Sequence, residues 1–513
     1  MTAPAINRRT RARALERLAT IRYDCIVIGG GVTGAGVALD AASRGLRTAL
    51  IERVDLAAGT SRWSSKLVHG GLRYLAKGDV GIAWESARER HALMTTIAPH
   101  LTHAAANLVP LDASTPPPLG VLAEAGIRLA DGLRIASRTS RHLLPRPSRI
   151  SASEALVLAP GLRHDGLRGG ILYWDGQLED DARLVTAIAR TAVAHGADVV
   201  TRCAATELTD TAVTLRDELT GGFLTAHGHV VNATGVWAGE HEPSVHIEPS
   251  RGSHIVVRSE AVGRPRAIFT APVPGHFGRF VFAMPQSDGL VIIGLTDEPA
   301  GDVDGVAPVV PADDTRFLLD TINRVLERPL AESEVVGRYA GLRPLVSPAG
   351  GGPTADLSRK HLLVDEPGRP VTITGGKLTT YRQMAEATVD AVCRRARSAA
   401  TCRTRSLPLV GAAAREVLSR VAAPERLVRR YGTEATAVAG LGLAHPELLR
   451  PVSETYPTLG AELLFGVLRE GALTVEDLVE RRTRISFDAQ ALDDAREVAV
   501  QVLALAEHAH TPA

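Results

Sequence analysis

The sequence predicts an α/β protein in which a discontinuous, Rossmann-like dinucleotide-binding domain carries an inserted antiparallel-sheet substrate domain and is followed by a C-terminal helical cap. Three features support this fold class. Residues 23–52 have the order strand, glycine turn, helix, strand that is typical of dinucleotide binding. Two β-rich runs at 280–284 and 290–295, separated by Pro-Gln-Ser-Asp-Gly, predict an antiparallel hairpin. Beyond residue 400 the chain is rich in Ala, Leu, Arg and Glu with helical spacing.

The 23–52 stretch carries the residues expected of a dinucleotide cradle. Gly29, Gly31 and Gly34 have the G-x-G-x-x-G spacing directly after an apolar run, and a helix of small residues follows them. Glycines there let the backbone turn tightly and approach a pyrophosphate, which then lies against the unpaired N–H groups of the helix N-terminus. Glu52 ends the second strand, and its carboxylate would accept hydrogen bonds from ribose hydroxyls. We therefore predict that this stretch binds a dinucleotide.

Composition narrows the class of protein. The 513 residues suffice for several domains, and the net charge of +1 provides no global field that would recruit nucleic acid. The four cysteines form no C-x-x-C pair, which is typical of a reducing cytoplasm and argues against a zinc site or a disulfide framework. No apolar run reaches the length that spans a bilayer, and the N-terminus lacks the apolar segment that secretion needs. We expect a cytoplasmic α/β enzyme that holds no metal and binds no nucleic acid.

The basic side chains are unevenly distributed. Residues 1–22 form a polar basic tail, which would be either a basic surface helix or a frayed extension outside the fold. Only four of the 58 basic residues are lysines. Two of these, Lys66 and Lys377, fall in polar, glycine-containing segments, where a compact ammonium can donate in three directions. We predict a functional role for Lys377, and for Lys66 either contact with the cofactor or support of its own loop.

Segment 59–75 is crowded with hydrogen-bonding groups beside the predicted cradle. Loops of this kind next to a rigid scaffold commonly form binding sites. A solvated loop that caps a helix would explain the serines, but it explains less well the glycine pair at 70–71 with its basic neighbours. The candidate site residues in this segment are Thr60, Ser61, Ser65, Lys66, His69, Arg73 and Tyr74.

The same segment carries a family resemblance. Its block SSKLVHGGLRYL resembles the signature of FAD-dependent glycerol-3-phosphate dehydrogenases, the membrane-associated kind that reduces quinone. The resemblance extends from residue 23 to about residue 386 and implies an FAD enzyme that oxidises sn-glycerol 3-phosphate to dihydroxyacetone phosphate and passes the electrons to a membrane quinone. Further blocks of the family follow in order: DDARLV at 180–185, VVNATGVWA at 230–238, GSHIVV at 252–257, GLRPL at 341–345 and GGKLTTYR at 375–382.

We expect the FAD-binding domain to be discontinuous. Its predicted segments are 23–95, 180–245 and 335–395, with a substrate domain of 96–179 and 246–334 and a helical domain of 400–513. The strand ending in Ala-Thr-Gly would pass close beside the cofactor, and a second glycine-started helix would aim its N–H groups at the pyrimidine edge of the flavin. The cofactor-binding residues predicted in these later segments are Ala204, Thr234, Gly235, Gly376, Leu378 and Thr379.

The resemblance also supplies candidates for the chemistry. Oxidation of a secondary alcohol requires a group that takes the hydroxyl proton and, for this substrate, cations that hold a phosphate. His254 in the GSHIVV block is the predicted base because an imidazole titrates near working pH, and His69 is the alternative. The predicted donors to the phosphate or to the developing alkoxide are Arg73, Arg343, Tyr74 and Lys377.

Other functions stay open from the sequence. The same architecture could serve a glycerol-3-phosphate oxidase that uses oxygen, another flavin oxidase of amines or hydroxy acids, or a flavin-binding scaffold without activity. For the C-terminal helical region, packing, assembly into a homodimer and cover of the active site are all open.

A quinone acceptor implies peripheral attachment to the anionic inner face of the cell membrane. The candidate surface is 119–149, which combines an imperfect leucine stripe with basic residues. The alternative is an ordinary amphipathic helix packed on the substrate domain. The arginines that could meet lipid head groups are Arg128, Arg134, Arg138, Arg141, Arg146 and Arg149.

Overall fold

The computed structural model describes residues 4–71, 79–112, 115, 117–276, 278–300, 308–346 and 361–508. Two large β-sheets form the body of the molecule and a mainly helical segment follows them, so the predicted fold class is confirmed. The strands are β1 (Arg22–Ile28), β2 (Thr48–Ile51), β3 (Leu67–Val68), β4 (Thr102–Pro110), β5 (Ser148–Ile150), β6 (Gly170–Leu178), β7 (Asp198–Val200), β8 (Cys203–Leu208), β9 (Ala212–Asp217), β10 (Phe223–Asn232), β11 (Ile247–Arg258), β12 (Ile268–Pro272), β13 (Phe280–Pro285), β14 (Leu290–Gly294), β15 (Glu298–Pro299), β16 (Val335–Val346), β17 (His361–Val364), β18 (Val371–Gly375), β19 (Pro451–Ser453) and β20 (Tyr456–Leu459).

Helices cover the first sheet and make up most of the C-terminal segment. The α-helices are α1 (Arg8–Thr20), α2 (Val32–Ser43), α3 (Val80–Ala92), α4 (Pro117–Ala136), α5 (Ala152–Leu158), α6 (Asp181–Ala194), α7 (Ala238–His241), α8 (Ala312–Ile322), α9 (Tyr381–Arg395), α10 (Arg415–Leu418), α11 (Glu425–Tyr431), α12 (Ala435–Gly440), α13 (Gly460–Glu470) and α14 (Ala489–His508).

The first sheet has the arrangement of a nucleotide-binding sheet. Its eight strands run in the order β17-β18-β10-β1-β2-β7, with β9 and β8 continuing from β10, and β18, β10, β1, β2 and β7 are mutually parallel. Helices α2, α6 and α9 pack together beside it through apolar side chains such as Ala38, Ile188 and Val389. Because the parallel strands end at one edge of the sheet, the loops that follow them gather there, which is where open α/β sheets bind ligands.

The N-terminal segment is part of this fold. α1 begins after Asn7, whose side chain accepts a hydrogen bond from the Thr10 backbone N–H at 3.0 Å. Its small apolar face, Ala14 and Leu18, is 1% exposed and packs on the first sheet on the side away from α2, while Arg11 forms a buried ion pair with Asp217. A frayed extension at 8–20 is therefore wrong. The small side chains of this face allow the helix to pack closely on the sheet.

The second sheet is mainly antiparallel and contains the predicted hairpin. Its ten strands follow the order β15-β11-β14-β13-β12-β4-β6-β3, with β16 paired to β11 and β5 paired to β6. The hairpin between β13 and β14 occurs as expected, with Phe282 opposite Gly294. The same Gly294 lies opposite His254 on β11, so Phe282, Gly294 and His254 are aligned across three neighbouring strands.

Two strands from segments predicted for the FAD-binding domain pair with the second sheet instead. β16 was expected in the FAD-binding domain, but it pairs along its whole length with β11, from Val346 opposite Ile247 to Val335 opposite Val257. β3, which lies within the 23–95 segment, also joins the second sheet through β6. Long antiparallel ladders of this kind depend on pairing partners far away in the chain, which local sequence does not reveal.

The C-terminal helical segment is tied to the first sheet by buried charges. Asp55, in the loop after β2, accepts hydrogen bonds from Arg481 at 2.8 Å and from Arg482 at 2.8 and 2.9 Å, and it is 1% exposed. Although burial alone would raise the pKa of the Asp55 carboxyl, Arg482 and Arg481 lower that pKa below its ordinary value. The carboxylate therefore stays ionised between two guanidinium groups, and the loop is held from the C-terminal side.

Within the described ranges, no helix is long and apolar enough to cross a membrane. The same residues contain no group of three or more His, Cys, Asp or Glu side chains that could hold a metal ion.

Replacing Asp55 with Asn should destabilise the protein, because a neutral amide leaves the buried guanidinium of Arg482 without its counter-ion, whereas Arg481 keeps its ion pair with Asp477. Breaking a buried pair from one side costs roughly 3 to 5 kcal/mol. Urea unfolding followed by circular dichroism measures the loss. The matched control is Asp313→Asn, whose partner is Arg316 and whose side chain is 86% exposed. Equal unfolding midpoints for the two variants would contradict the buried clamp.

Candidate functional site

One large cavity of about 1080 Å³ opens between the two sheets. Its wall combines the loops at the carboxyl edge of the first sheet with one face of the second sheet, so both halves of the predicted site meet in it. Residues of the first group are Gly29, Gly31, Glu52, Thr60, Ser61, Ser65, His69, Thr234, Gly235, Gly376, Lys377, Leu378 and Thr379; those of the second are Gly252, His254, Thr270, Phe280, Phe282, Gly341 and Arg343.

The first glycine turn has no room for side chains. A Cβ on Gly29 would lie 2.6 Å from the Ala233 carbonyl oxygen, and Gly29 has φ +109°, which disfavours other residues. A Cβ on Gly34 would lie 1.9 Å from the Gly29 carbonyl oxygen, so this glycine lets α2 approach β1. Gly29 and Gly31 line the cavity, whereas Gly34 lies behind its wall and acts through packing.

The loop around this turn is held by two side chains. Ser61 Oγ accepts the Val32 backbone N–H at 2.8 Å, which supplements the N-terminus of α2. Glu52 accepts the backbone N–H groups of Gly30 at 2.6 Å and Val54 at 2.7 Å. Burial raises the pKa of the Glu52 carboxyl above its ordinary value, with the two backbone N–H groups opposing it. The carboxylate therefore fixes the turn and also lines the cavity.

The polar segment after the cradle crosses between the sheets. Thr60 Oγ1 donates to the Leu342 carbonyl oxygen on β16 at 2.7 Å, and Ser65 Oγ lies 2.9 Å from His254 Nε2 on β11. His69 is half-buried on the cavity wall. The predicted site residues Arg73 and Tyr74 lie outside the described residues.

Lys66 does not line the cavity, which favours the second of its two predicted roles, support of its own loop. Its side chain is fully buried, and Nζ donates to Asp181 at 2.8 Å and to the Arg62 carbonyl oxygen at 2.6 Å. Burial lowers the pKa of the Lys66 ammonium, and Asp181 opposes that shift. The ammonium ties its own loop to the start of α6, which is the alternative role considered for it.

A second clamp on this segment was missed from the sequence. The Gly70 backbone N–H donates to Asp175 Oδ1 at 3.0 Å, and Arg90 Nη1 donates to the same oxygen at 2.6 Å. A Cβ on Gly70 would lie 2.2 Å from Arg90 Nη1, which explains the small residue. Asp175 lies on β6, more than 100 residues away in the chain, and no local signal marks it.

His254 lies in a buried, aromatic environment. Its ring stacks on Tyr339 with centroids 4.5 Å apart, and Tyr339 stacks on Phe487 of the C-terminal segment with centroids 4.8 Å apart. Burial lowers the pKa of the His254 imidazole well below its ordinary value, and the positive charges of Lys66 and Arg343 add to this effect. The imidazole is therefore neutral at physiological pH.

Arg343 is fixed on the adjacent strand. Its guanidinium pairs with Asp297 at 3.0 Å and donates to Ser250 Oγ at 3.0 Å and to the Thr296 carbonyl oxygen at 3.1 Å. A Cβ on Gly252 would lie 2.4 Å from Arg343 Nη2, so this glycine leaves the space that the guanidinium fills. Arg343 is thus a preorganised donor on the cavity wall.

A second glycine turn, after β18, also lines the cavity. Gly376 has φ +69°, and a Cβ there would lie 2.5 Å from Met384 Sδ. Lys377 Nζ donates to Ser86 Oγ on α3 at 3.3 Å, and Leu378 and Thr379 follow at the start of a short 3₁₀ turn. The turn therefore brings backbone N–H groups and one ammonium to the same part of the wall.

The remaining predicted contacts lie on the first sheet. Thr234 Oγ1 donates to Asn232 at 2.7 Å, and the Gly235 carbonyl oxygen accepts Thr374 Oγ1 at 2.8 Å. Ala204 is buried between Cys203 and Ala205 on β8, both of which line the cavity. A backbone contact from this strand stays a prediction.

A family model described as FAD dependent oxidoreductase matches residues 24–382, and one described as the C-terminal domain of alpha-glycerophosphate oxidase matches residues 402–509. Glycerol-3-phosphate dehydrogenase 1 of Mycobacterium tuberculosis is 48% identical over 508 residues, which are 97% of each chain. The chain belongs to the FAD-dependent glycerol-3-phosphate dehydrogenase family. Glycerol-3-phosphate dehydrogenase 2 of the same organism is 37% identical over 529 residues, 97% of this chain and 87% of that one. The solved structure of glycerol-3-phosphate dehydrogenase from Bacillus halodurans complexed with FAD has a TM-score of 0.75 at 26% identity and covers 98% of this chain and 94% of that one.

FAD is the cofactor of this family member. The cavity fits the group, because the glycines Gly29, Gly31 and Gly376 present bare backbone on its wall and because the wall continues from Glu52 on the first sheet to His254 on the second. Gly29, Gly31 and the start of α2 would hold the pyrophosphate, Glu52 the ribose and the turn at Gly376 the flavin ring.

Replacing Gly34 with Ala should abolish flavin binding, because the added methyl group would force α2 away from the pyrophosphate turn. The absorbance ratio of flavin to protein after purification measures the loss. The matched control is Gly81→Ala, since a Cβ on that helical glycine meets nothing within 4 Å. A Gly34→Ala protein that keeps a full complement of FAD would rule out the close helix approach as a requirement.

Proposed function

We propose that this protein oxidises sn-glycerol 3-phosphate to dihydroxyacetone phosphate and passes the electrons to a membrane quinone. The observation that carries the proposal is that two side chains on adjacent strands line the same cavity: the neutral, buried His254 and the fixed Arg343. The glycine turns of the cofactor cradle line that cavity too. The names of the relatives support the same substrate. When bound, the flavin of FAD supplies an acceptor for the hydride from C2.

His254 takes the proton of the substrate hydroxyl in this proposal. A base must be unprotonated, and burial keeps the imidazole in that form. Its Nε2 already lies 2.9 Å from Ser65 Oγ, a distance at which a hydroxyl group forms a hydrogen bond with the ring. The substrate hydroxyl would take the place of Ser65 Oγ at this nitrogen, which has a single hydrogen-bonding direction.

Arg343 and Lys377 hold the charged end of the substrate. The planar guanidinium of Arg343 suits a phosphate or a developing alkoxide, and its contacts with Asp297 and Ser250 prevent it from swinging away. Lys377 adds a compact ammonium from the second glycine turn. Arg73 and Tyr74 stay predicted contributors outside the described residues.

Attachment to the anionic inner face of the membrane is proposed through α4 and the segment after it. Leu129 and Ile135 are exposed large apolar residues on this helix, and Leu129 also lines the cavity. Arg128 is exposed, but Arg134 is buried and pairs with Asp131, so Arg134 is removed from the predicted set of head-group contacts. A membrane docked at this helix would bring a quinone close to the cavity.

Anaerobic mixing tests the proposed reaction. The yellow, flavin-loaded protein should bleach at 450 nm with glycerol 3-phosphate but not with lactate, glycine or glycerol. The reduced protein should then be reoxidised faster by anionic phospholipid vesicles that contain a quinone than by dissolved oxygen or by quinone in neutral vesicles. Bleaching with an amine or a hydroxy acid alone would replace the proposed substrate, and peroxide release without quinone reduction would favour the oxidase.

Replacing His254 with Asn should slow the limiting rate of flavin reduction by about 10² to 10⁴-fold while FAD stays bound, because the general base is lost. In the wild-type protein the rate should stay constant from pH 9 to 7 and fall only below the ordinary imidazole value near 6.5, since a lowered pKa keeps the base unprotonated. Stopped-flow absorbance across this pH range gives both results. His195→Asn, an exposed histidine at the end of α6, is the control. A His254→Asn protein reduced at the wild-type rate would transfer the role to His69.

A further inference from the structure

Tyr339 is a buried aromatic residue that contacts His254 but does not border the cavity. It lies on β16 directly opposite His254 on β11, so both side chains leave the same face of the second sheet. The two rings stack with centroids 4.5 Å apart and planes 13° apart. Because Tyr339 has no surface on the cavity wall, whatever it contributes to the reaction passes through the imidazole.

The orientation of the His254 ring depends on packing more than on hydrogen bonds. Nε2 lies 2.9 Å from Ser65 Oγ, but no side chain of the described residues hydrogen-bonds to Nδ1. A catalytic imidazole is commonly oriented by a hydrogen bond at its second nitrogen. Here the ring lies between Tyr339 on one neighbouring strand and Gly294 on the other, where a Cβ would lie 2.1 Å from His254 Cδ2. The stack and the close glycine therefore set the plane of the ring.

Tyr339 is itself held in place from several directions. Its hydroxyl donates to the Ser64 carbonyl oxygen at 3.0 Å. Burial raises the pKa of this hydroxyl well above its ordinary value, so the group stays protonated and remains a donor. The Tyr339 ring stacks on Phe487 with centroids 4.8 Å apart, and the ammonium of Lys66 lies 5.1 Å from the Tyr339 ring centroid, within the range of a cation–π contact.

The tyrosine hydroxyl also reaches the segment that carries Ser65. The carbonyl group that accepts it belongs to the peptide bond between Ser64 and Ser65. Both neighbours of this serine are anchored to Asp181 Oδ2. Ser64 donates to it through its backbone N–H at 2.9 Å and its Oγ at 2.7 Å, and Lys66 donates through Nζ at 2.8 Å. One tyrosine side chain thus contacts both the imidazole and the backbone of the serine that hydrogen-bonds to it.

We propose that Tyr339 is a positioning residue for the reaction: its ring sets the orientation of His254, and its hydroxyl sets the position of Ser65. This inference rests on the proposed function, in which His254 takes the proton of the substrate hydroxyl. When that hydroxyl replaces Ser65 Oγ at Nε2, the hydrogen bond that held the ring is lost. The stack on Tyr339 remains, so Nε2 keeps the direction in which the substrate needs it.

Anaerobic titration of flavin reduction with glycerol 3-phosphate tests the proposal, because it gives a limiting rate and an apparent Kd. Tyr339→Leu removes the flat ring and should lower the limiting rate about 10- to 100-fold, since a small misplacement of a reacting group can cost about 10² in rate. The apparent Kd should change little, because the tyrosine does not border the cavity. Tyr339→Phe keeps the stack and should recover most of the rate.

The matched control is Tyr431→Leu. Tyr431 is 2% exposed, belongs to the same apolar cluster as Tyr339 and packs edge-on against Phe465 with centroids 5.4 Å apart, but it does not border the cavity. This variant should lose stability and keep the limiting rate of the wild-type protein. Both variants remove a buried tyrosine ring, so a rate loss confined to Tyr339→Leu reports on the contact with His254.

A crystal structure of Tyr339→Leu provides a result that does not depend on activity. The His254 ring should turn, so that Nε2 lies beyond the hydrogen-bonding distance of about 3.2 Å from Ser65 Oγ. If Tyr339→Leu does not fold, Tyr339→Met decides by the same two measurements, because its flexible thioether fills the space without a flat ring.

The outcomes separate the two proposals. If glycerol 3-phosphate fails to reduce the wild-type flavin, the proposed function fails, and the crystal structure still decides whether Tyr339 orients the imidazole. The inference is overturned if the variant without the ring keeps the wild-type orientation of His254 or the wild-type limiting rate. Equal rate losses in Tyr339→Leu and Tyr431→Leu would overturn it as well, because the loss would then come from general destabilisation.

Discussion

The arrangement depends on the register of β11 between β16 and β14. Side chains on a strand alternate between faces, so a slip by one residue would turn His254 away from the cavity. Two glycines make this register specific. A Cβ on Gly294 would lie 2.1 Å from His254 Cδ2, and one on Gly252 would meet Arg343, so each functional side chain fills the space that a glycine on the neighbouring strand leaves open. Pairing and packing therefore fix His254 and Arg343 together.

The C-terminal segment contacts residues that hold the site in place. Phe487 stacks on Tyr339, which stacks on His254, so the imidazole is supported by a residue more than 200 positions later in the chain. Arg481 and Arg482 hold Asp55, three residues after Glu52. The helical segment thus contacts the supports of both the nucleotide loop and the base. These contacts support a role in positioning beyond simple cover.

Local features of the site could be predicted from the sequence, but features that depend on distant partners could not. The spacing of Gly29, Gly31 and Gly34 predicts that the first helix after the glycine turn lies close to β1, and the structure shows this close approach. The scarcity of lysine identified Lys66 and Lys377 equally, yet one is a buried ion pair and the other lines the cavity. Lys66 is buried because it pairs with Asp181, which lies 115 residues away in the chain. No local pattern in the sequence indicates that pairing. Pairing of β16 with β11 was hidden for the same reason.

The central claim is that cofactor and phosphorylated substrate meet in the cavity between the two sheets, on the face that carries His254. A crystal structure of the reduced protein with FAD and glycerol 3-phosphate tests it most directly. We expect the substrate hydroxyl within hydrogen-bond distance, about 2.6 to 3.2 Å, of the His254 ring and the phosphate bonded to Arg343. A substrate bound with its hydroxyl beyond the reach of His254, or with its phosphate at the nucleotide end near Glu52, would contradict the account.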